Sequence, residues 1–137
     1  RSRTEMELAM QHLEHASAGP SGQPAWIDEI ATQARRLQLA INHHIVEVEA
    51  PAALLDNIVE QAPRLQRRVE GTRKHHLVLI DLIEGLLDML GDADDGTPAP
   101  VADIRARIVE LLTELTRHRQ DGADLIFEAY DVDIGGY

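Results

Sequence analysis

Three long stretches of this chain repeat apolar residues at alternating spacings of three and four, and each puts one histidine in a slot that asks for Leu or Ile. The first carries Ile30, Ala34, Leu37, Ile41, His44 and Val48. The second carries Val69, Thr72, His76, Ile80, Ile83 and Leu87, and the third carries Ile108, Leu111, Leu115, His118, Gly122 and Leu125. Such spacing draws one continuous face along an α-helix. A face of that kind has to be buried against other helices, which restricts the chain to a helical bundle. An imidazole buried there without a partner costs roughly 2 kcal/mol or more, so each of these histidines needs a reason to be inside.

The punctuation of the chain supports the same architecture. A first helix is expected over residues 3–18, ended by the Gly19-Pro20-Ser21-Gly22-Gln23-Pro24 breaker cluster. The second starts near Trp26 and stops at Pro51, and residues 52–61 can form a short helix through Leu54, Leu55, Ile58 and Val59. Pro63 suits the first turn of the next long helix, where a missing N–H costs nothing, and the apolar face of that helix continues to Leu90. Residues 91–100 read as an acidic, proline-containing loop, the last helix runs from Val101 to Ala129, and residues 131–137 have no periodicity. The expected fold is all-α: an antiparallel four-helix bundle with a short extra helix between helices 2 and 3, one domain over residues 1–137.

Composition narrows the function. The 24 acids against 13 bases give a formal charge of -11, which argues against nucleic acid or an anionic membrane as partner. The absence of cysteine excludes disulfides, thiolate nucleophiles and Cys-ligated metal sites. No apolar run approaches the roughly 20 residues of a membrane span, no signal peptide is read, and a cytoplasmic setting is expected. Arg35, Arg36, Arg64, Arg67, Arg68, Arg73 and Lys74 read as a solvated face pairing with the many acids. No phosphate loop, serine nucleophile motif or His-Glu-x-x-His motif is present.

Histidines on separate helices that converge on one interior are a natural way for a bundle to hold a metal ion. His44 lies on the buried face of the second helix with His43 one step round, and Glu47 shares a side with either. His76 and His118 are nearly equidistant from the middle of the loop between their helices, so they should face each other at similar height. In the first helix Leu8, His12 and His15 share a face, and His12 is the preferred inward residue although it is offset along the axis from His44. Glu70, Asp121 and Asp124 are nearby acids away from the ideal ligand positions. Against this stands a bland alternative of satisfied core histidines and surface pairs such as His43–Glu47.

The segments Asn42-His43-His44-Ile45-Val46-Glu47-Val48-Glu49, Lys74-His75-His76-Leu77 and Leu115-Thr116-Arg117-His118-Arg119-Gln120 resemble the metal-bearing turns of hemerythrin-like (HHE cation-binding) domains. The closing residues 124–136 resemble the tail of a small bacterial subgroup of that family. The resemblance implies a bundle binding non-haem iron, one or two ions, on His12, His44, Glu47, His76 and His118. Dioxygen or another small diatomic or peroxide ligand is then the implied partner, in a dioxygen-binding or oxygen- or redox-sensing role. Where the family pattern has an acid four or five residues after the fourth-helix histidine, this chain has Gly122 and Ala123. A mononuclear or degenerate site therefore stays open. Two alternatives accompany it: a metal-free bundle acting as a protein-interaction module, and an iron-dependent peroxide or nitric oxide oxidoreductase.

Overall fold

A computed structural model describes residues 2–92 and 97–131, which form an all-α four-helix bundle with no strand among the described residues. The long helices are α1 (Ser2–Ala18), α2 (Pro24–Glu49), α4 (Gln66–Leu87) and α5 (Val101–Tyr130), with the short α3 (Leu54–Gln61) between α2 and α4. Pro24 opens α2 in its first turn, and Pro63 opens a single 3₁₀ turn, Pro63–Leu65, that leads into α4. The regular part of α4 ends at Leu87, earlier than the apolar pattern suggests. A wider turn, Asp88–Asp92, carries Leu90 into the core, and Gly91 there takes a φ of 103°, which favours glycine. Asp131 closes α5 through its N–H to the Phe127 carbonyl at 2.6 Å. The tail beyond it and part of the acidic loop lie outside the described residues.

Neighbouring helices run antiparallel. Glu5 meets His43 at 2.9 Å near one end of α1, and Arg119 donates to Glu7 at 2.8 Å. At the other end Arg105 donates to the Ser17 and Gly19 carbonyls at 3.1 and 3.0 Å, with its guanidinium 5.2 Å from the centre of the Trp26 ring. Arg105 thus satisfies carbonyls that the end of α1 leaves unpaired and ties α5 to the α1–α2 turn.

The first helix is rotated from the expectation. Its buried residues are Ser2, Met6, Ala9 and Leu13, whereas Leu8 is 49% exposed and His12 and His15 are exposed. Met6, Ala9 and Leu13 form an apolar stripe of their own at spacings of three and four, and burying it leaves both imidazoles hydrated at no desolvation cost. On α4 the buried face is centred on Val69, His76, Leu79, Ile83 and Leu86, with Thr72 and Ile80 at its margin.

The core has two apolar compartments. The larger includes Leu13, Ile30, Leu37, Ile41, Leu79, Ile83, Ile108, Leu111 and Leu115, drawn from all four long helices. The smaller is made of Val48, Leu55, Ile58, Ala62, Leu65, Val69, Leu125 and Ile126, closed by α3 in place of α1. Between them lies a polar layer, because His44 separates Ile41 from Val48, His76 separates Val69 from Leu79, and His118 separates Leu115 from Leu125. No helix among the described residues is long and apolar enough to cross a membrane.

Candidate metal centre

Each histidine of the polar layer is held by the helix face that carries it. Buried aliphatics one turn away, Ile41 and Val48 for His44, Leu79 for His76 and Leu115 for His118, place the three rings on inward faces, where they remain only 1–2% exposed. His44 Nε2 and His76 Nε2 each lie 3.2 Å from His118 Nε2, and one ligand atom from each ring lies within 4.8 Å of the others. A cation roughly 2.0–2.1 Å from two imidazole nitrogens, at bond angles between right and tetrahedral, holds those nitrogens about 2.8–3.4 Å apart. The two short separations fall in that range, and this buried cluster of three histidines is able to chelate a single metal ion.

The opposite edges of the rings also have partners. His76 Nδ1–H donates to Glu49 Oε2 in a short hydrogen bond, and Glu49 Oε1 is 3.4 Å from Arg73, whose other nitrogen reaches Asp56 at 3.1 Å. His44 Nδ1 lies 3.5 Å from Ser2 Oγ, and His118 Nδ1 lies 3.1 Å from His75 Nδ1. With its Nδ1 proton held by an acceptor, a neutral imidazole presents the Nε2 lone pair, which is the form a metal binds. Charge is kept off the cluster as well. Burial, with His76 beside it, pushes His44 down to about 4, and burial, with His76, His44 and His75, pushes His118 down to about 2. Burial also lowers His76, against the pull of Glu49. Three neutral imidazole nitrogens facing one point are a donor set that a single cation can bind.

Of the five residues expected from the sequence, His44, His76 and His118 come together; His12 and Glu47 do not. His12 is exposed, and Ser2 stands at the level of His44 instead. Their separation of ten positions amounts to about 15 Å of helix, the axial offset that the turn between the first two helices imposes. Glu47 is exposed on the outer side of α2. The carboxylate beside the layer is Glu49, two residues on, which sits behind His76. His43 is exposed and pairs with Glu5, and Glu70, Asp121 and Asp124 are exposed outside the cluster.

Four residues around the layer escape the sequence reading in a supporting role: Ser2, Glu49, His75 and Glu114. Glu114 could have been found, because it precedes His118 by four residues and so shares its side of α5. Glu49 and Ser2 had no such signal, since their position depends on where α2 crosses α4 and where α1 begins against α2. Part of the basic stripe is paired: Arg68 forms an ion pair with Glu128, and Arg64 donates to the Glu128 carbonyl at 3.2 Å. A cleft of about 620 Å³ lies between α4 and α5, with His75, Glu114 and an edge of His118 in its wall. Comparisons with protein-family models, with curated proteins and with solved structures give no match for this chain.

Proposed function

We propose that this bundle holds one non-haem iron(II) ion on His44, His76 and His118 and uses it to bind or sense dioxygen or a related small ligand. The observation that carries the reading is the convergence of three neutral imidazole edges whose outer nitrogens each face a further polar group. Imidazole sets suit iron, zinc, copper and nickel, and the choice of iron follows the resemblance to hemerythrin-like domains. Iron bound there supplies coordination positions for a small ligand and a one-electron redox change. Glu49 orients His76, Ser2 faces the outer edge of His44, and the aliphatic layers on both sides exclude water. With His12 and Glu47 outside the cluster, the described residues offer ligands for one ion. Reversible two-electron carriage of dioxygen, which needs two irons, is not supported by this set; binding, sensing or peroxide-related chemistry at one iron is.

Anaerobic titration of metal-free protein with iron(II), followed by desalting and metal analysis, tests the proposal. One equivalent per chain is expected, falling below a tenth of an equivalent in His118→Ala. An open coordination position would appear as an electron-paramagnetic signal on adding nitric oxide to the iron(II) form. Two equivalents would overturn the mononuclear assignment. No retention by the wild-type chain would return it to the metal-free interaction module.

A further inference from the structure

Glu49, the carboxylate behind the proposed ligand His76, is the last residue of α2, and a helix holds its own end least firmly. The backbone leaves the helix at Ala50, and Ala52 takes a φ of 61°, uncommon for a residue with a side chain. Contacts from outside α2 keep Glu49 in place. Asp56 on α3 accepts from the Ala52 N–H at 2.9 Å through Oδ2, and its Oδ1 accepts from Arg73 Nη2 at 3.1 Å. Arg73 Nη1 reaches back to Glu49 Oε1 at 3.4 Å, so the contacts close into a ring through α2, α3 and α4.

Arg73 and His76 stand three residues apart on α4 and therefore on one side of it. Between them they take both oxygens of Glu49: Arg73 donates to Oε1 and His76 Nδ1–H to Oε2. A carboxylate gripped at one oxygen can swing about that bond; gripped at both, it is fixed. Arginine suits the place because its planar fork donates to two acids at once. Release of α3 undoes the arrangement. Asp56 leaves with it, and so does part of the cover over Val48 and Val69. Glu49 is then left at an unsupported helix end, where water competes for the oxygen that orients His76.

We infer that Arg73 is a positioning residue that couples α3 to the metal cluster, so that the cluster binds metal tightly with α3 docked and weakly with α3 released. The coupling rests on the metal reading of His44, His76 and His118, but the hold of Arg73 on the Glu49–His76 pair exists without metal. Coupling of this kind is reciprocal: metal holds α3 down by the same factor that release of α3 weakens metal binding. An outer partner of a ligating histidine commonly changes metal affinity by about 10–100-fold, and Arg73, one contact further out, belongs at the low end.

Amide exchange of the full chain with and without cobalt(II) reads one direction, and competition between a chelator and the protein for cobalt(II) reads the other. In the wild type, cobalt(II) should slow exchange of the α3 amides about 10-fold. Arg73→Lys keeps the charge but cannot donate to both acids at once. It should weaken cobalt(II) binding about 10-fold and remove the cobalt-dependent slowing in α3, with α1 exchange unchanged as the control for folding. In the metal-free wild type, the His76 Nδ1 proton should give a downfield imidazole signal protected from exchange with water, and Arg73→Lys should lose it. Wild-type cobalt(II) affinity in Arg73→Lys, α3 exchange indifferent to cobalt(II), or a His76 signal that survives the substitution would each overturn the inference. A chain that takes up no metal, yet loses the His76 signal in Arg73→Lys, would sink the iron reading and leave the hold of Arg73 on Glu49 standing.

Discussion

The two apolar compartments on either side of the histidine layer are built from the same residue types but closed differently. The larger is wrapped by four long helices and holds most of the fully buried side chains, Leu13, Ile30, Leu37, Ile41, Leu79 and Leu111 among them. The smaller depends on α3, a helix of eight residues, to cover Val48, Val69, Leu125 and Ile126. Short helices have little stability of their own, so α3 persists through its packing and its tethers. One tether bears on the site: Asp56 on α3 accepts from Ala52 N–H at 2.9 Å and from Arg73 at 3.1 Å, and Arg73 also faces Glu49 behind His76. The difference teaches a division of labour. The large compartment holds most of the fully buried side chains, and the helix that closes the small one is tied through Asp56 and Arg73 to Glu49 behind His76.

That division can be broken by matched deletions. Leu37→Ala in the large compartment should cost about 3–5 kcal/mol in chemical denaturation and weaken the whole bundle together. Ile58→Ala, equally buried, should cost about 2–3 kcal/mol, because an eight-residue helix can settle inward. It should also speed amide exchange in α3 and leave exchange in α1 unchanged. Equal costs and uniform exchange would show one undivided core.

The layer itself should be sensitive to acid. In the unfolded chain His44 titrates near 6.5, and in the fold only near 4, so between those values the unfolded state binds more protons. The stability of the metal-free protein should be full above pH 6.5 and fall as the pH drops to 4, by about 3 kcal/mol from His44 alone. Bound metal should oppose that loss, because it binds the neutral form.

A smaller effect of opposite sign is expected on removing the layer. Changing His44, His76 and His118 together to Leu joins the compartments into one apolar core and should raise metal-free stability by about 1–3 kcal/mol, since a buried polar layer is replaced by apolar packing. The same variant should lose metal uptake and the histidine part of the acid dependence. A destabilised variant, with the wild-type slope between pH 6.5 and 4, would show that the layer is a satisfied part of the core and that the acid sensitivity arises elsewhere.

The helical elements, their breaks at the Gly19–Pro24 cluster and Pro51, and the inward placement of His44, His76 and His118 are legible in the order of residues. Periodicity measures the angle of a side chain around its own helix, and on the three later helices that angle was read correctly. The opposition of His76 and His118 was legible too, because a short connection ties the heights of adjacent antiparallel helices. α1 was misread because it carries two competing stripes, Leu8-His12-His15 and Met6-Ala9-Leu13, and only contact with α2 and α5 selects between them. Glu49 rather than Glu47 beside the layer is a matter of where α2 crosses α4, which no spacing within α2 encodes.

By itself, then, the sequence determined that the chain is helical, that its helices must bury their faces against one another, and that three of those faces carry an imidazole. Those are consequences of local periodicity and of the cost of exposing aliphatic surface. Tertiary structure alone decided that His44 joins His76 and His118 at one level between two apolar compartments, that α1 brings Ser2 rather than His12 to it, and that Glu49, His75 and Glu114 stand behind the rings. Height along a helix and distance between helices are set by packing across residues far apart in the chain, and chelation depends on both.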